Sequence, residues 1–250
     1  MIHYHAGSLP GETDSQLAYA GKHAMLSFNE GHNLAPMIVE LCHSFTLDGD
    51  LSKLGNTGPL LEQMADYAAW VERWYRHPAL DFYLMPYSSA PETMSLVSDW
   101  RELVSDDVYI RGIPVFNLDQ SLSHLDDLLE EFPHSLAIAS VSSYGDPGSL
   151  NWWERIAQVM EKLIDEDGRP LRRLHGVQML DPTIFSHLPL SSADSNCVAR
   201  NCGEDHRWEG PYQPATPYQR ALILMERIER HASASRWRDH TGERNFDLFG

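Results

Sequence analysis

The stretch IPVFNLDQSLSHLDDLLEEFPHSLAIAS, residues 113–140, holds two strand-like runs with a helical pattern between them. The runs IPVFNL (113–118) and LAIAS (136–140) are short and largely apolar, which favours buried strands. Between them we predict a helix that begins at Ser121, a polar cap, and ends before Pro133. A strand, helix and strand in this order predict a right-handed crossover between parallel strands.

The same alternation extends along nearly the whole chain. The other candidate strands are IHYH (2–5), AMLSF (24–28), SFTLD (44–48), DFYLM (81–85), LHGVQML (174–180) and LPLSSAD (188–194). Helical patterns start at Pro59 in the first turn, run from LNWWER to a stop at Gly168, and span 217–232. Eight such units predict an α/β fold, a (β/α)8 TIM-like barrel, whereas six or seven would leave an open parallel α/β sheet as the alternative.

The length of 250 residues suits one domain, since no Gly/Ser-rich or Pro-rich linker interrupts the chain. We expect a barrel domain over residues 1–232 and a polar, peripheral tail over 233–250. No apolar run reaches the length of a membrane span, and the start MIHYHAG lacks signal-peptide regions. Three cysteines cannot all pair within the chain, which fits a reducing compartment. The prediction is a cytoplasmic protein without a membrane partner.

The net charge of −17, from 36 acidic and 19 basic residues, argues against broad binding to a phosphate backbone. Arginines concentrate in the second half, from Arg155 onward, where a local basic patch could meet an anionic partner. A solvated helix face is the alternative explanation for the same residues.

In a barrel the carboxyl ends of the strands meet at one mouth, where such folds place their functional groups. The polar residues at the predicted strand ends are Asp48, Asn117, Asp119, Gln120, Ser140, Tyr144, His175, Gln178 and Asp194. Two carboxylates can divide nucleophilic and acid/base work, amides can contact the edge of a heterocycle, and a tyrosine can stack on its face. The alternatives are that Asp194 caps the helix opened by VARN and that His175 is a hydrogen-bonded core residue.

Other kinds of site find less support in the sequence. Cys197, Cys202 and His206 lie close together, but no CxxC pair and no fourth ligand accompany them, so we predict no metal. His3 and His5 project from the same side of a strand without a further ligand nearby. Neither a GxGxxG or GxxxxGK[ST] loop nor a GxSxG turn occurs, which leaves nucleotide-phosphate loops and serine hydrolases unsupported.

The order of several motifs resembles the tRNA-guanine transglycosylases, and more closely their shortened relatives from phages and prophages, some of which put 7-deazaguanines into DNA. SFTLD ends at Asp48 where the family has LDSGG or LDNGAF. The similarity continues in IPVFNLDQS, in ASVSSYGDPGSLNWWERIAQVM and in LHGVQMLDPTIFSHLPLSSADSNCVARN. It covers most of the chain from Ile2 to about His231.

This resemblance implies a barrel in which Asp194 attacks the anomeric carbon and Asp48 handles the proton on the base. Gln120 would lie near the purine edge, the turn from Ser140 to Gly145 would hold the base, and Ser195 and Arg200 would join the substrate contacts. The chain departs from the family in LDGDLS, which adds Asp50, in Tyr87, Ser88 and Ser89 where an acidic base contact is expected, and in lacking the zinc subdomain.

The predicted function is cleavage or exchange of an N-glycosidic bond on a nucleic acid base without a cofactor, in a bacterial or phage-infected cytoplasm. DNA is favoured over tRNA as the partner, with a free purine-like base as second substrate. A nucleoside or nucleotide N-glycosidase or transferase acting on free small molecules is the first alternative. A catalytically inactive barrel that binds a nucleotide or protein is the second.

Overall fold

The computed structural model describes residues 1–10, 13–28, 35–51, 59–87, 93–140, 142–203 and 214–238. Nine strands occur within these ranges: β1 (Ile2–Ala6), β2 (His23–Ser27), β3 (Ser44–Asp48), β4 (Leu80–Leu84), β5 (Gly112–Ile113), β6 (Val115–Asn117), β7 (Ser135–Ala139), β8 (Arg173–Val177) and β9 (Ser192–Ser195). Neighbouring strands are all parallel and follow the order β5-β4-β3-β2-β1-β9-β8-β7-β6.

The two ends of this sheet, β5 and β6, are consecutive in the chain and are separated by Pro114 alone. The Ile113 carbonyl accepts from the Met85 N–H after β4, and the Pro114 carbonyl accepts from Ala137 in β7. Pro114 has no N–H to donate, so the pairing with β4 ends before it and the pairing with β7 begins after it. Residues 112–117 therefore act as one interrupted strand that nearly closes the sheet. The predicted (β/α)8 TIM-like barrel in a single domain is confirmed, and the sheet is not open.

Helices follow the strands along the chain. They are α1 (Ala35–Leu41), α2 (Leu60–Trp74), α3 (Thr93–Leu103), α4 (Asp106–Tyr109), α5 (Leu122–Glu131), α6 (Leu150–Leu163), α7 (Pro182–Phe185), α8 (Cys197–Asn201) and α9 (Pro217–Glu229), with 3-10 segments at Thr13–Tyr19 and Ser142–Tyr144. Ser121 caps α5 by accepting from the His124 N–H at 3.2 Å, as the sequence predicted.

The apolar side chains form two layers, because alternate residues of each strand face opposite sides of the sheet. A large cluster lies between the strands and the helices and includes Phe45, Leu47, Trp100 and Trp152. A smaller cluster fills the barrel interior and includes Tyr4, Leu84 and Tyr87. Strand β7 contributes two small inward residues, Ala137 and Ala139, to the same cluster. Large and small residues thus fill the interior together.

Three predicted boundaries are corrected. The last strand is Ser192–Ser195 and not 188–194, because Leu188 and Leu190 are buried in the outer core before the strand begins. The helix expected to stop at Gly168 ends at Leu163, and Gly168 lies in the following turn at φ 78°. Pro59 is the cap preceding α2 and not its first helical residue.

The expected peripheral tail begins as part of the packed structure. In its described portion, 233–238, the Ser233 hydroxyl donates to the Leu190 carbonyl and Trp237 is buried. The Trp237 ring stacks on Trp153 with centroids 6.4 Å apart, and the Trp237 backbone N–H donates to the Gly168 carbonyl at 2.7 Å. The apolar Trp237 explains this packing in a segment whose composition is otherwise polar. Residues 239–250 lie outside the described residues.

Candidate active site at the carboxyl-terminal mouth of the barrel

Asp194 lies on β9 with its carboxylate inside the barrel and no exposed surface. Its Oδ1 lies 3.1 Å from His175 Nε2 and accepts from the Gln178 N–H at 3.2 Å. Its Oδ2 accepts from Gln178 Nε2 at 3.0 Å. The following helix α8 is capped at Asn196, without a side-chain bond. The capping alternative for Asp194 is therefore wrong, since its carboxylate is held by strand β8 and the loop after it.

His175 connects Asp194 to a hydroxyl deeper in the barrel. On β8 it lies directly opposite Ser192 in the parallel ladder, and its Nδ1 is 2.9 Å from Ser192 Oγ. An ionised carboxylate only accepts, so His175 Nε2 donates to Asp194. At Nδ1 the Ser192 hydroxyl can donate or accept. The histidine is 2% exposed and contacts the carboxylate from the side nearer the strand starts.

Gln178 reaches Asp194 through an uncommon backbone conformation. Its φ of 58° is the only positive value among the described residues other than glycine. An L residue in the left-handed region costs about 1–2 kcal/mol. That conformation turns both the N–H and the side-chain amide of Gln178 toward the same carboxylate. Local strain and a buried charge thus meet at one point, as at many functional sites.

Asp48 ends β3 and lies at the same mouth, 4% exposed. Its Oδ1 accepts from the Tyr87 hydroxyl at 2.9 Å and from the Asp50 N–H at 3.2 Å. A parallel bridge between Asp50 and Tyr87 continues the pairing of β3 with β4 past the ends of both strands. This short extension fixes the position of the tyrosine hydroxyl relative to Asp48.

Tyr87 has a pKa well above its usual value. Burial raises it, and the charges of Asp48, Asp50 and Asp194 raise it further. The phenol therefore keeps its proton and donates to Asp48 throughout the neutral range. Asp48 and Asp194 share one end of the barrel because they lie near the carboxyl ends of two parallel strands, β3 and β9.

The other predicted site residues divide into two groups. Asn117 is buried at the end of β6, and its N–H donates to Gln120 Oε1 at 2.9 Å. The Gln120 side chain thus holds the loop, and its Nε2 is buried rather than open to a substrate. Ser140 accepts from the indole of Trp152 at 2.7 Å. Ser195 accepts from the Cys197 N–H at 3.0 Å. These residues therefore bond to other parts of the protein around the mouth.

The second group lies at the rim. Asp119 is exposed and accepts from the Ser143 N–H at 3.3 Å. Tyr144 is half-buried beneath the guanidinium of Arg155, whose carbon is 5.9 Å from the ring centre. Arg200 is exposed on α8. Arg207, His206, Ser88 and Ser89 lie outside the described residues.

Sequence reasoning missed Ser192, the partner of His175, and the Tyr87 hydroxyl, the partner of Asp48. The signal for Ser192 was the two-residue alternation of β9, which puts it on the same inward face as Asp194. No local signal pairs Tyr87 with Asp48, because they are 39 positions apart in the chain.

The rim of this mouth is acidic. The described residues of the loops after the strands are 7–10, 28, 49–51, 85–87, 118–121, 140, 142–149, 178–181 and 196. They include Asp50, Asp119, Asp146 and Asp181 but no Lys, Arg or His. These loops carry negative charge, which disfavours phosphate groups, and the guanidinium of Arg155 on α6 lies against them and donates to the Leu118 and Gln120 carbonyls.

A metal site finds no support in the part of the chain that is described. It contains no group of three or more His, Cys, Asp or Glu placed to hold an ion. Cys42, Cys197 and Cys202 are free thiols. Burial raises the pKa of each, which disfavours the thiolate form that zinc requires. His3 forms a hydrogen bond with the His231 carbonyl, and His5 forms one with the Glu229 carboxylate.

The fold and the site together define an α/β barrel protein with buried carboxylates gathered at the carboxyl ends of its strands. Comparisons with protein-family models, with curated proteins and with solved structures find no match to this chain. Among the described residues no helix has the length and apolar character needed to cross a membrane.

Proposed function

We propose that this barrel cleaves or exchanges the N-glycosidic bond of a nucleobase through a covalent bond between Asp194 and the sugar. The observation that carries the proposal is the pairing of two buried carboxylates at one mouth, each held by its own donors. His175 and Gln178 orient Asp194, and Tyr87 orients Asp48. The order of motifs shared with the transglycosylases supports the same assignment of roles.

The reaction would take two balanced steps. An Asp194 oxygen bonds to the anomeric carbon as the carbon–nitrogen bond breaks, and the departing base takes a proton from the acid form of Asp48. Water or an incoming base then attacks the same carbon and returns a proton to Asp48, and the Asp194 carboxylate leaves. Water gives hydrolysis, and a second base gives exchange. The Asp194 hydrogen bonds hold the carboxylate in one orientation throughout, which lowers the entropy cost of attack.

The substrate is either a polymer, with DNA favoured over tRNA, or a free nucleoside or nucleotide. The acidic rim supports the free nucleoside, because a polynucleotide would bring several phosphates against Asp119, Asp146 and Asp181. For a polymer, the contact would depend on arginines of the helices next to the rim loops, such as Arg200 on α8. Binding that weakens steeply with added salt would favour the polymer, whereas salt-independent release of free base would favour the nucleoside.

The test is to incubate the full chain with DNA, tRNA and a panel of ribo- and deoxyribonucleosides, with and without added purine-like bases. Chromatography measures freed or exchanged base, and mass spectrometry of the rapidly denatured protein measures a sugar adduct on the peptide that contains Asp194. The proposal expects both from at least one substrate. An inactive binding barrel would give neither, and that result would replace the proposal.

Asp194→Asn keeps the size of the side chain but removes the anionic nucleophile. We expect it to lower base release at least about 10³-fold and to abolish the adduct. Asp66→Asn, on the exposed face of α2, is the matched control and should retain full activity. Equal activity of Asp194→Asn and the unmodified chain would eliminate the covalent mechanism.

A further inference from the structure

The opposite end of the barrel, where the strands begin, contains a cavity of about 720 Å³. Its lining includes residues at or just before the starts of β1, β5, β7, β8 and β9: Ile2, Ile110, Arg111, Gly112, Ile113, His134, Ser135, Arg173, Leu174, Ser191 and Ser192. Interiors of such barrels are usually packed with bulky branched side chains at this level. Here Ser135 and Ser192 occupy inward positions on β7 and β9. The volume lies within the range of sites for small organic ligands.

One wall of this cavity carries a fixed carboxylate. Asp81 Oδ2 accepts from the buried Tyr4 hydroxyl at 2.6 Å and also from the Ser44 hydroxyl. Two donors on one oxygen hold the orientation of the group. No described residue donates to Oδ1, and Asp81 is exposed to the cavity. This oxygen can accept from an N–H donor of a ligand.

The opposite part of the rim is cationic. Arg173, three strand positions from β4 around the barrel, projects into the cavity from the first residue of β8. Its guanidinium makes no hydrogen bond or ion pair with a described residue. Arg111 and His134 join it at the rim, although Arg111 also donates to the Tyr75 carbonyl. A planar guanidinium without a partner at the entrance of a cavity is suited to a phosphate or carboxylate.

Between the two charged walls lies an aromatic surface. Phe82 is half-buried and lines the cavity. It packs edge-on against Tyr4 and His175, with ring centroids 5.6 Å and 5.2 Å apart respectively. Ile113 adds apolar surface to the same lining. A flat ring fits here, with its polar edge toward Asp81 and an anionic group toward Arg173.

We propose that the cavity at the amino-terminal end of the barrel binds a nucleoside monophosphate, with its phosphate on Arg173 and Arg111 and the N–H edge of its base on Asp81. The site is separate from the carboxyl-terminal mouth and does not depend on any reaction there. His175 links the two ends, because it lines this cavity and also contacts Asp194. A bound ligand that displaces the Ser192 hydroxyl would therefore change the orientation of Asp194.

Calorimetric titration of the full chain at low ionic strength tests the proposal. The probes are the purine and pyrimidine nucleoside 5′-monophosphates, the corresponding nucleosides, and inorganic phosphate. Arg173→Ala and Asp81→Asn should each weaken binding of the monophosphate about tenfold or more, the loss expected for a hydrogen bond to a charged group. Arg169→Ala, an exposed arginine outside the cavity lining, is the matched control and should bind like the unmodified chain.

Asp48→Asn separates this site from the candidate active site, because Asp48 bonds to Tyr87 and Asp50, which lie outside the cavity lining. This variant should bind the monophosphate with unchanged affinity, and thermal unfolding of every variant checks that it is folded. Absence of binding would overturn the proposal, as would affinity that is lost in Asp48→Asn but retained in Arg173→Ala. Equal affinity for phosphate alone or for the nucleoside alone would also overturn it, because each lacks one of the two required ends.

Discussion

Tyr87 shows most clearly how one side chain determines what the candidate site can do. Its hydroxyl lies inside the barrel, 3% exposed for the residue as a whole, and donates to Asp48. Tyr67 has a comparable buried hydroxyl that donates to the Leu84 carbonyl at 2.8 Å. One tyrosine therefore serves a charged group at the mouth, and the other serves a neutral group in the scaffold.

We expect Tyr87→Phe and Tyr67→Phe to differ in activity more than in stability. Each removes one buried hydrogen bond and should lower the free energy of unfolding by about 1–2 kcal/mol, measured by urea denaturation. Only Tyr87→Phe should lower kcat/KM for base release, by about tenfold or more, because it frees Asp48 to change orientation. Equal losses of activity in both variants would mean that Tyr87 acts only as a structural residue.

Much of the site at this scale could be predicted from the sequence. A charged residue at the end of a predicted strand, as at Asp48 and Asp194, has few purposes other than capping or function. The partners could not be predicted, because the donors to Asp194 come from β8 and its loop and the donor to Asp48 comes from beyond β4. The bond from the Asn117 N–H to the side-chain oxygen of Gln120 could not be predicted either, because it depends on a side-chain direction.

At the scale of elements, α9 is fastened to the start of the barrel by a small ionic cluster. Glu229 Oε1 lies 3.1 Å from His5 Nε2, and Glu229 Oε2 accepts from the ammonium group of Lys22, just before β2. Burial by itself raises the pKa of Glu229, but the hydrogen bonds and charges of His5 and Lys22 outweigh it and hold the pKa at about 2. The folded protein therefore favours the ionised form more than the unfolded chain does.

This depressed pKa gives a defined pH dependence. The stabilisation from Glu229 is complete above its ordinary pKa of 4.5 and is lost as the pH falls toward about 2. Glu229→Gln should therefore lower Tm at neutral pH, and its difference from the unmodified chain should shrink below pH 4.5. Glu226→Gln, which breaks only an exposed pair with Arg230 on the same helix, should change Tm little at any pH. A difference for Glu229→Gln that does not vary with pH would contradict this account.

The described part of the tail is a second element-scale contribution. Trp237 covers Trp153 on α6 and bonds to the turn at Gly168. Trp237→Ala should lower the free energy of unfolding by about 3 kcal/mol, as expected for truncating a large buried ring. Urea denaturation measures the loss, and the neighbouring exposed Arg238→Ala is the control. A loss as small as that of the control would mean that the tail does not stabilise the barrel.

For the whole molecule, the net charge of −17 is the dominant electrostatic feature. Like charges repel one another in the compact state, and salt shortens the Debye length from about 30 Å at 0.01 M to about 8 Å at 0.15 M. We expect Tm at pH 7.5 to rise by a few degrees over this range of NaCl concentration. Near pH 5.0, the pI of the sequence, the rise should largely disappear. A fall in Tm with salt at pH 7.5 would show that attractive ion pairs outweigh the repulsion.

The sequence by itself determined the order of strands and helices, the parallel sheet and the strand ends at which carboxylates occur. These follow from local patterns: apolar runs, helical spacing, and caps such as Ser121. The tertiary structure alone decided that residues 112–117 bridge both edges of the sheet, that His175 and Gln178 hold Asp194, and that the amino-terminal end is hollow. Each of those features depends on side chains that are distant in the chain and meet only when the barrel closes, and no local pattern encodes the direction in which they point.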